Sequence, residues 1–537
     1  MAAIVSHLLP LLLLSSSSTF ASSSSSKSSP KYFTRCFAGR TNSPHLIYLA
    51  GTSAYQSLLL SSAQNLRFVY SPATSKPKVI VTPVTESQVQ AAVACAAASN
   101  LRVRTRSGGH DYEGMSYSAA GNNSFITLDI SGLHSVSVDG GGGTAWVQAG
   151  ATLGELYYAI GKSCPTFAFP AGVCPTVGVG GHFTGGGIGT LMRKYGTAAD
   201  NIIDARMVDA GGRLLDRKSM GEDLFWAIRG GGAASFRVVV AFRVKLVPVP
   251  PVVTVFNVVK TLEQNATMAI DRWQRVAHRF DEKLFVWVIA QAITGGGGTM
   301  TVQIIFKSLY LGRRDELLAM AEQSFPELRL TAGDCREMSW IESVLFLNDD
   351  TGEPVETLQN RTKQFNRSFK AKSDFVVEPI PASGWEKIWE FLMDSIEEQL
   401  VLYMEPFGGR MGEIEEDAIA FPHRKGNLFS IQYFLVWPEA EETAVEGHLE
   451  WMRRMYEFMG PFVSSKPRAA YYNYKDIDLG NKTKSYGEAK VWGEKYFKGN
   501  FRRLSEVKWK VDTTNFFMNE QSIPPMNGGG GRHQRAA

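Results

Sequence analysis

Two glycine-rich stretches contain the residues of this sequence whose types and spacing could do chemistry. The first is residues 107–111, Ser-Gly-Gly-His-Asp, and the second is residues 178–189. Glycine permits positive φ angles and lets consecutive backbone N–H groups face an anion without a Cβ between them. Either stretch could therefore cradle a pyrophosphate. Neither is a P-loop, because no Gly-Lys-Ser/Thr follows, and neither opens a helix after a strand as a dinucleotide-binding fingerprint does.

Short regular elements must hold these stretches in place. Residues 78–82 are a β-branched run that predicts a strand, and residues 86–98 have apolar side chains at helical spacing, with Thr85 as the N-cap. Residues 101–106 alternate and predict a second strand, which leads into the first glycine-rich stretch. A strand, helix and strand unit is the economical interpretation.

Residues 247–252 contain three prolines, which favour a domain boundary there. The glycine run at 295–298 is typical of a hairpin turn. Before the boundary the sequence predicts strands at 125–130, 145–148, 205–208 and 238–247. After it, the sequence predicts strands at 252–259 and 284–289 and amphipathic helices at 264–279 and 313–323.

The chain length indicates how many lobes to expect, and the net charge excludes some classes of partner. The 537 residues are too many for one compact core, so we expect two lobes. The net charge of +4 is slight, and no dense Lys/Arg tract appears, so the sequence predicts no nucleic-acid or acidic-membrane partner. We expect no metal site.

The N-terminus is typical of a secreted protein. Residues 8–14 are an apolar run broken only by Pro10, and small residues follow, which predicts a signal peptide over residues 1–21. Residues 22–33 are Ser-rich and predict a disordered leader. No later stretch reaches the roughly 20 apolar residues that a membrane span requires. Five N-x-S/T sequons suit a glycoprotein: Asn122, Asn265, Asn360, Asn366 and Asn481.

The number of cysteines is odd. The five are Cys36, Cys95, Cys164, Cys174 and Cys335. In an oxidising compartment at least one thiol is therefore free or bonded to something other than cysteine.

Longer motifs change how His110 and Cys174 are interpreted. Taken alone, they would be a turn histidine and a buried thiol. Residues 106–114 (RSGGHDYEG) and 170–182 (PAGVCPTVGVGGH) resemble the two FAD-attachment motifs of plant berberine bridge enzyme-like oxidases, which are vanillyl-alcohol-oxidase or PCMH-type flavoproteins. The resemblance extends from residue 65 to residue 525. It implies an α+β fold in which a two-lobed PCMH-type FAD-binding domain joins a substrate domain with an antiparallel sheet covered by helices.

The resemblance also implies the domain limits. An FAD-binding domain would occupy residues 74–250, with residues 34–73 packed on it. A substrate-binding domain would follow at 251–470. Residues 471–527 would return to the FAD domain, and residues 528–537 would form a disordered tail.

A doubly tethered FAD is the cofactor that the resemblance implies. His110 would bond the 8α-methyl of the isoalloxazine ring and Cys174 its C6, while the protein supplies orientation and electrostatics. Cys36 would pair with Cys95, Cys335 would be a packed thiol, and Cys164 has no assigned role. The other cofactor-binding positions would be Ser107, Gly108, Gly109, Asp111, Val177, Gly178, Gly180, Gly181, His182, Gly185, Gly186 and Tyr474.

The same family pattern implies the catalytic residues. Alcohol oxidation by a flavin needs a base for the hydroxyl proton, and a tyrosine with a lowered pKa can serve. Tyr474 would be this base and Tyr471 its helper. Gln432 would contact the substrate hydroxyl, and Tyr112 would form an aromatic wall. Val177 occupies a position that controls oxygen access in the family, where valine favours an oxidase.

Four positions depart from the family pattern. Ser430 stands where many members have a lysine, Ile188 where an aromatic residue is usual, Phe407 where a tyrosine is common, and Arg237 where a glycine is common. These departures argue against monolignol oxidation.

The sequence therefore predicts a secreted monomeric oxidase that takes a hydride from a hydroxylated small molecule and passes electrons to O2. The substrate stays open among oligosaccharides, aromatic alcohols and other secondary metabolites, and so does the choice between the apoplast and the vacuole. Two alternatives are a dehydrogenase with a non-oxygen acceptor and an impaired glycoprotein that acts by binding.

Overall fold

The computed structural model describes residues 29–121, 123–362, 367–394, 398–438 and 444–527. The expected signal peptide, the expected tail and the sequons at Asn122 and Asn366 lie outside these described residues. The expected disordered leader is wrong at its end, because a helix begins at Pro30. Its first turn is capped by the Ser29 hydroxyl and begins with proline, and its Phe33 and Phe37 are buried.

The first lobe joins a four-stranded sheet to a five-stranded one, with strand orders β1-β3-β6-β4 and β11-β10-β12-β8-β7. Its strands are β1 (Ile47–Leu49), β2 (Thr74–Ser75), β3 (Val79–Val81), β4 (Arg102–Arg106), β5 (Ala119–Ala120), β6 (Phe125–Asp129), β7 (Val136–Asp139), β8 (Thr144–Gln148), β9 (Phe167–Ala168), β10 (Ile202–Val208), β11 (Leu214–Leu215), β12 (Val238–Lys245) and β13 (Val247–Pro248). Its helices are α1 (Pro30–Thr41), α2 (Ser53–Ser62), α3 (Arg67–Tyr70), α4 (Glu86–Ala98), α5 (Leu153–Ser163), α6 (Val179–Thr184), α7 (Met192–Tyr195) and α8 (Arg217–Ala227).

The predicted strand, helix and strand unit is present as β3, α4 and β4. Thr85 caps α4 in a capping box with Gln88. The two strands do not pair with each other, because β6 lies between them and runs parallel to both. A disulfide between Cys36 and Cys95 joins α1 to α4, and it is the pair that the family resemblance implies.

The second lobe is a seven-stranded antiparallel sheet with strand order β17-β14-β16-β15-β19-β20-β18. Its strands are β14 (Val253–Thr261), β15 (Leu284–Thr294), β16 (Met300–Tyr310), β17 (Cys335–Met338), β18 (Ser368–Val376), β19 (Gln399–Pro406) and β20 (Phe429–Trp437). Its helices are α9 (Ala266–Val276), α10 (Arg314–Ser324), α11 (Trp340–Leu347), α12 (Ala382–Met393) and α13 (Val445–Phe458). The expected hairpin at the glycine run joins β15 to β16, and the α+β class is confirmed.

The two faces of this sheet have different neighbours. On β15, Val286 and Val288 belong to the core under the helices, whereas Phe285 and Trp287 line a cavity on the opposite face. Side chains alternate between the faces of a strand, so a single strand supplies both.

The C-terminal segment returns to the first lobe. It contains α14 (Tyr486–Phe497) and α15 (Asn500–Val511). Trp492, Phe501 and Leu504 are fully buried in the core that also contains β3 and α4. No helix in the described part of the chain is long and apolar enough to cross a bilayer.

A buried ion cluster connects three distant parts of the chain. Lys370 of β18 forms ion pairs with Glu113, which follows the first glycine-rich loop, and with Asp476 of the C-terminal segment (2.6 Å). Lys372 pairs with the other oxygen of Asp476 (2.7 Å). These four side chains are 1–2% exposed, and we call them the buried ion cluster.

Replacing Lys370 by methionine should destabilise the fold by about 3–5 kcal/mol, because it leaves two carboxylates buried with one cation fewer. Guanidinium unfolding of the two proteins measures the difference. Lys162→Met is the matched control, since Lys162 and its partner Glu356 are about half exposed, and it should leave the unfolding midpoint unchanged. Equal midpoints for Lys370→Met and the wild type would show that the cluster does not hold the three segments together.

Candidate functional site

The two glycine-rich loops meet backbone to backbone. A Cβ on Gly108 would overlap the backbone nitrogen of Gly178. A Cβ on Gly109, whose φ is +73°, would overlap the carbonyl oxygen of Ser62. The loops can therefore pack this closely only with glycine at these positions.

His110 and Cys174 come from separate loops and reach the same hydroxyl group. His110 Nε2 lies 2.9 Å from Thr176 Oγ1, and Cys174 Sγ lies 3.6 Å from the same oxygen. Both side chains line one cavity of about 490 Å³. An imidazole and a thiol from separate loops therefore line the same cavity.

The surroundings of both side chains favour their neutral forms. Removal from bulk water lowers the pKa of His110 to about 4, so the imidazole is neutral near pH 7 and one ring nitrogen keeps its lone pair. Burial also raises the pKa of the Cys174 thiol.

Most of the predicted cofactor and substrate residues line this one cavity. They are Ser107, Gly108, Gly109, His110, Asp111, Tyr112, Cys174, Val177, Gly178, Gly180, Gly181, His182, Gln432, Tyr471 and Tyr474. Gly185 and Gly186 lie behind the wall, where a Cβ would overlap Asn473 and Phe421 respectively. We therefore interpret these two glycines as packing positions.

Two of the predicted site residues hold loops in place. The backbone N–H of Gly172 donates to His182 Nε2 (2.9 Å), which fixes the loop that carries Cys174. The Tyr471 hydroxyl accepts hydrogen bonds from the backbone N–H groups of Gly187 (2.9 Å) and Ile188 (3.1 Å). This favours a positioning role for Tyr471, because donors already occupy its oxygen.

Tyr474, Tyr112 and Gln432 form a connected group in the cavity wall. The rings of Tyr112 and Tyr474 are stacked, with centroids 5.6 Å apart and planes 6° from parallel. Gln432 Nε2 donates to the Tyr112 hydroxyl (2.8 Å). The expected lowered pKa of Tyr474 is wrong. Burial and the nearby Glu405 carboxylate hold the pKa of the Tyr474 phenol well above its usual value.

Sequence reasoning missed Glu405 and Thr176. Glu405 lies on β19 directly opposite Ser430 of β20, and both its carboxylate oxygens accept hydrogen bonds inside the cavity region. A partial signal was present, because every even-numbered position of residues 399–406 is apolar, whereas Gln399, Tyr403 and Glu405 at odd-numbered positions are polar. The partner strand and its register could not be read from that pattern.

The departures from the family pattern have different structural consequences. Phe407 is buried with its ring edge-on to Phe375 (centroids 5.5 Å apart), away from the cavity lining. Ile188 lines the cavity. Arg237 also lines it, and its guanidinium lies 3.4 Å from the Asp209 carboxylate, so this cation is partly compensated.

The site fits the FAD that the resemblance implies. The glycines of the two loops let the backbone approach a pyrophosphate closely, and the imidazole of His110 and the thiol of Cys174 line the same cavity. Past them, aromatic side chains of the second lobe continue the wall. Bound FAD would supply a two-electron acceptor there.

Two family models match parts of this chain. Residues 77–217 match the family model "FAD binding domain", and residues 470–524 match "Berberine and berberine like".

Relatives match over nearly the whole chain. Tetrahydroberberine oxidase of Berberis wilsoniae is 49% identical over 505 residues, which cover 92% of this chain and 94% of that protein. The structure of Phl p 4, "a grass pollen allergen with glucose dehydrogenase activity", is 45% identical with a TM-score of 0.87, and the match covers 92% of this chain and 99% of that one. A Phl p 4 variant with one Ile-to-Val substitution, described as a glucose oxidase, has the same identity, coverage and TM-score. The chain therefore belongs to the berberine bridge enzyme-like family of FAD-binding oxidoreductases.

Proposed function

We propose that this protein is a secreted FAD-dependent oxidase that takes a hydride from a hydroxylated small molecule and passes the electrons to O2, giving H2O2. In this proposal His110 and Cys174 both bond the flavin covalently. The observation that carries it is the approach of both side chains to the Thr176 hydroxyl within one cavity. His110 reaches this hydroxyl from a separate loop, whereas Cys174 is two residues from Thr176 on the same loop.

The residues of the cavity wall supply the proton chemistry. Tyr474 is the base that receives the hydroxyl proton, and Gln432, held by Tyr112, orients that hydroxyl. Burial alone disfavours a charged phenolate at Tyr474, so the proton must pass onward or the charge must be compensated.

The substrate class stays open between oligosaccharides, aromatic alcohols and other secondary metabolites. The cavity wall of the second lobe includes Phe285, Trp287 and Tyr403, and flat rings of this kind can stack on either sugars or aromatic compounds. Phl p 4 is described with glucose dehydrogenase activity and the Berberis relative as an alkaloid oxidase by name. A peroxide-release screen over cello-oligosaccharides, oligogalacturonides and aromatic alcohols would decide between them.

A dehydrogenase with a non-oxygen acceptor is the second candidate, because Phl p 4 itself is described as a glucose dehydrogenase. Its Ile-to-Val variant is described as an oxidase, which supports oxidase activity for a chain with valine at the oxygen-controlling position. Val177 lines the cavity here.

Secretion is supported by the predicted signal peptide and by the disulfide between Cys36 and Cys95. Three sequons, at Asn265, Asn360 and Asn481, are exposed, as glycosylation requires.

Mass spectrometry of tryptic peptides should find flavin mass on the peptides of both His110 and Cys174. In His110→Ala or Cys174→Ala one link should remain, so the roughly 450 nm absorbance should survive acid precipitation, and only the double variant should lose it. Flavin on neither peptide would contradict the double attachment.

Tyr474→Phe should slow flavin reduction by roughly 10²-fold or more in stopped-flow measurements, because the base is removed. The flavin spectrum should be unchanged. Reduction at the wild-type rate would show that Tyr474 is not the base.

Val177→Leu should slow reoxidation of the reduced enzyme by O2 by roughly tenfold, which equals about 1.4 kcal/mol of added barrier. Anaerobic reduction should proceed at the wild-type rate. Val173→Leu is the matched control, since Val173 also lines the cavity. Equal reoxidation rates in the wild type and Val177→Leu would contradict gating by this residue.

A further inference from the structure

The carboxylate of Glu405 lies in the wall of the cavity. The hydride and proton transfers of the proposed function do not use it. It lies on β19 between Met404 and Pro406, which are buried, and on the same face as Tyr403. Both Tyr403 and Glu405 line the cavity. The residue as a whole is partly exposed, but its carboxylate is surrounded by protein, so the charge is poorly solvated.

Two hydroxyl groups donate hydrogen bonds to the Glu405 carboxylate. Ser430 Oγ donates to Oε2 (2.7 Å), and the Tyr474 hydroxyl donates to Oε1 (3.2 Å). The antiparallel register of β19 and β20 places Ser430 directly opposite Glu405. Within the described part of the chain, the hydrogen bonds to this carboxylate come from neutral groups.

A buried carboxylate that serves only the fold is normally paired with a cation. The buried ion cluster is an example in this protein, since Glu113 and Asp476 both pair with lysine. Glu405 instead faces the hydroxyls of Ser430 and Tyr474. Removal from water without a cation raises its pKa to about 7, so the group exchanges a proton near neutral pH.

The phenol of Tyr474 is held in place for transfer to this carboxylate. The Tyr112 ring stacks on one side (centroids 5.6 Å apart), and the Tyr471 ring meets it edge-on (4.9 Å). Burial holds the pKa of Tyr474 well above its usual value. Tyr474 can therefore receive a proton only as it passes its own proton on, and the acceptor hydrogen-bonded to it is Glu405.

We propose that Glu405 is the proton acceptor of the oxidation and that Tyr474 is the relay between the substrate hydroxyl and this carboxylate. Oxidation of a CH–OH group to a carbonyl releases a hydride, with both electrons, to the bound flavin and a proton to the protein. The O–H bond of the substrate breaks as a new O–H bond forms on Tyr474. The former phenol proton moves to Glu405 Oε1, which becomes a neutral carboxyl group.

This proposal rests on the proposed function and predicts a pH dependence for it. Glu405 must be ionised to accept a proton, so the rate of flavin reduction should rise with pH through about 7 and then level off. The groups that face Glu405 are Ser430 of β20, Tyr112 directly after the first glycine-rich stretch, and Tyr471 and Tyr474 of the C-terminal segment. All four stay protonated in this range.

Glu405→Gln is the decisive variant, because the amide has the shape of the carboxyl group but takes up no proton near neutral pH. Its oxygen can accept one of the two hydrogen bonds, and its NH2 group can donate to the other hydroxyl. Stopped-flow reduction of the holoenzyme by D-glucose, cellobiose and benzyl alcohol is measured from acidic to alkaline pH. We expect a loss of roughly 10²-fold at the plateau and no titration near neutral pH. Combining it with Tyr474→Phe should add little further loss, because the two groups act as a unit.

Two further variants separate catalysis from structure. Ser430→Ala removes a hydrogen bond to the charged form, so the midpoint of the pH profile should move to higher pH. Glu413→Gln is the matched control, since Glu413 is exposed and pairs with Arg410 on the surface, and it should keep the wild-type profile. An infrared titration of the protein without substrate should show a carboxyl band with the same midpoint that is absent in Glu405→Gln. Buried Asp374, whose pKa burial raises to about 6, should give a separate band that Glu405→Gln keeps.

The outcomes are distinguishable. A wild-type pH profile and rate in Glu405→Gln would overturn this proposal and leave the proposed function intact. A wild-type enzyme whose flavin none of the probes reduces would count against the proposed function and the catalytic role together. A Glu405→Gln protein that keeps every carboxyl band of the wild type would show that Glu405 does not titrate near neutral pH.

Discussion

The ion pairs among Glu113, Lys370 and Asp476 are the constraint on which the rest of the site depends. Glu113 follows His110 by three residues, and Asp476 follows Tyr474 by two. Lys370 belongs to β18, which pairs with the strand that carries Gln432. Charges this deeply buried are tolerated only in a well-defined geometry. The cluster therefore fixes the loop that carries His110, the segment that carries Tyr474 and the seven-stranded sheet relative to one another.

The glycine loops add a second constraint of a different kind. They fix the distance between His110 and Cys174 by contact between backbones, whereas the ion cluster fixes orientation through charge. One hydroxyl, Thr176, lies within reach of both side chains.

Local patterns predicted the local parts of this structure. The limits of α4 and its Thr85 cap, the hairpin at residues 295–298 and the strand before His110 were all evident in short windows. The family motifs then indicated His110 and Cys174. Glu405 was out of reach because its role depends on which strand lies beside β19 and in what register. Lys370 and Glu113 are 257 residues apart, and no local pattern couples them.

The alternation of side chains along β15 and β19 has a consequence for how such a protein can diversify. Positions such as Trp287 and Tyr403 border the cavity, while their immediate neighbours belong to the helix-covered core. Evolution, or a directed library, can thus reshape what the enzyme accepts by altering every second residue of these strands. The scaffold underneath would keep its packing while the chemistry at the flavin stayed the same.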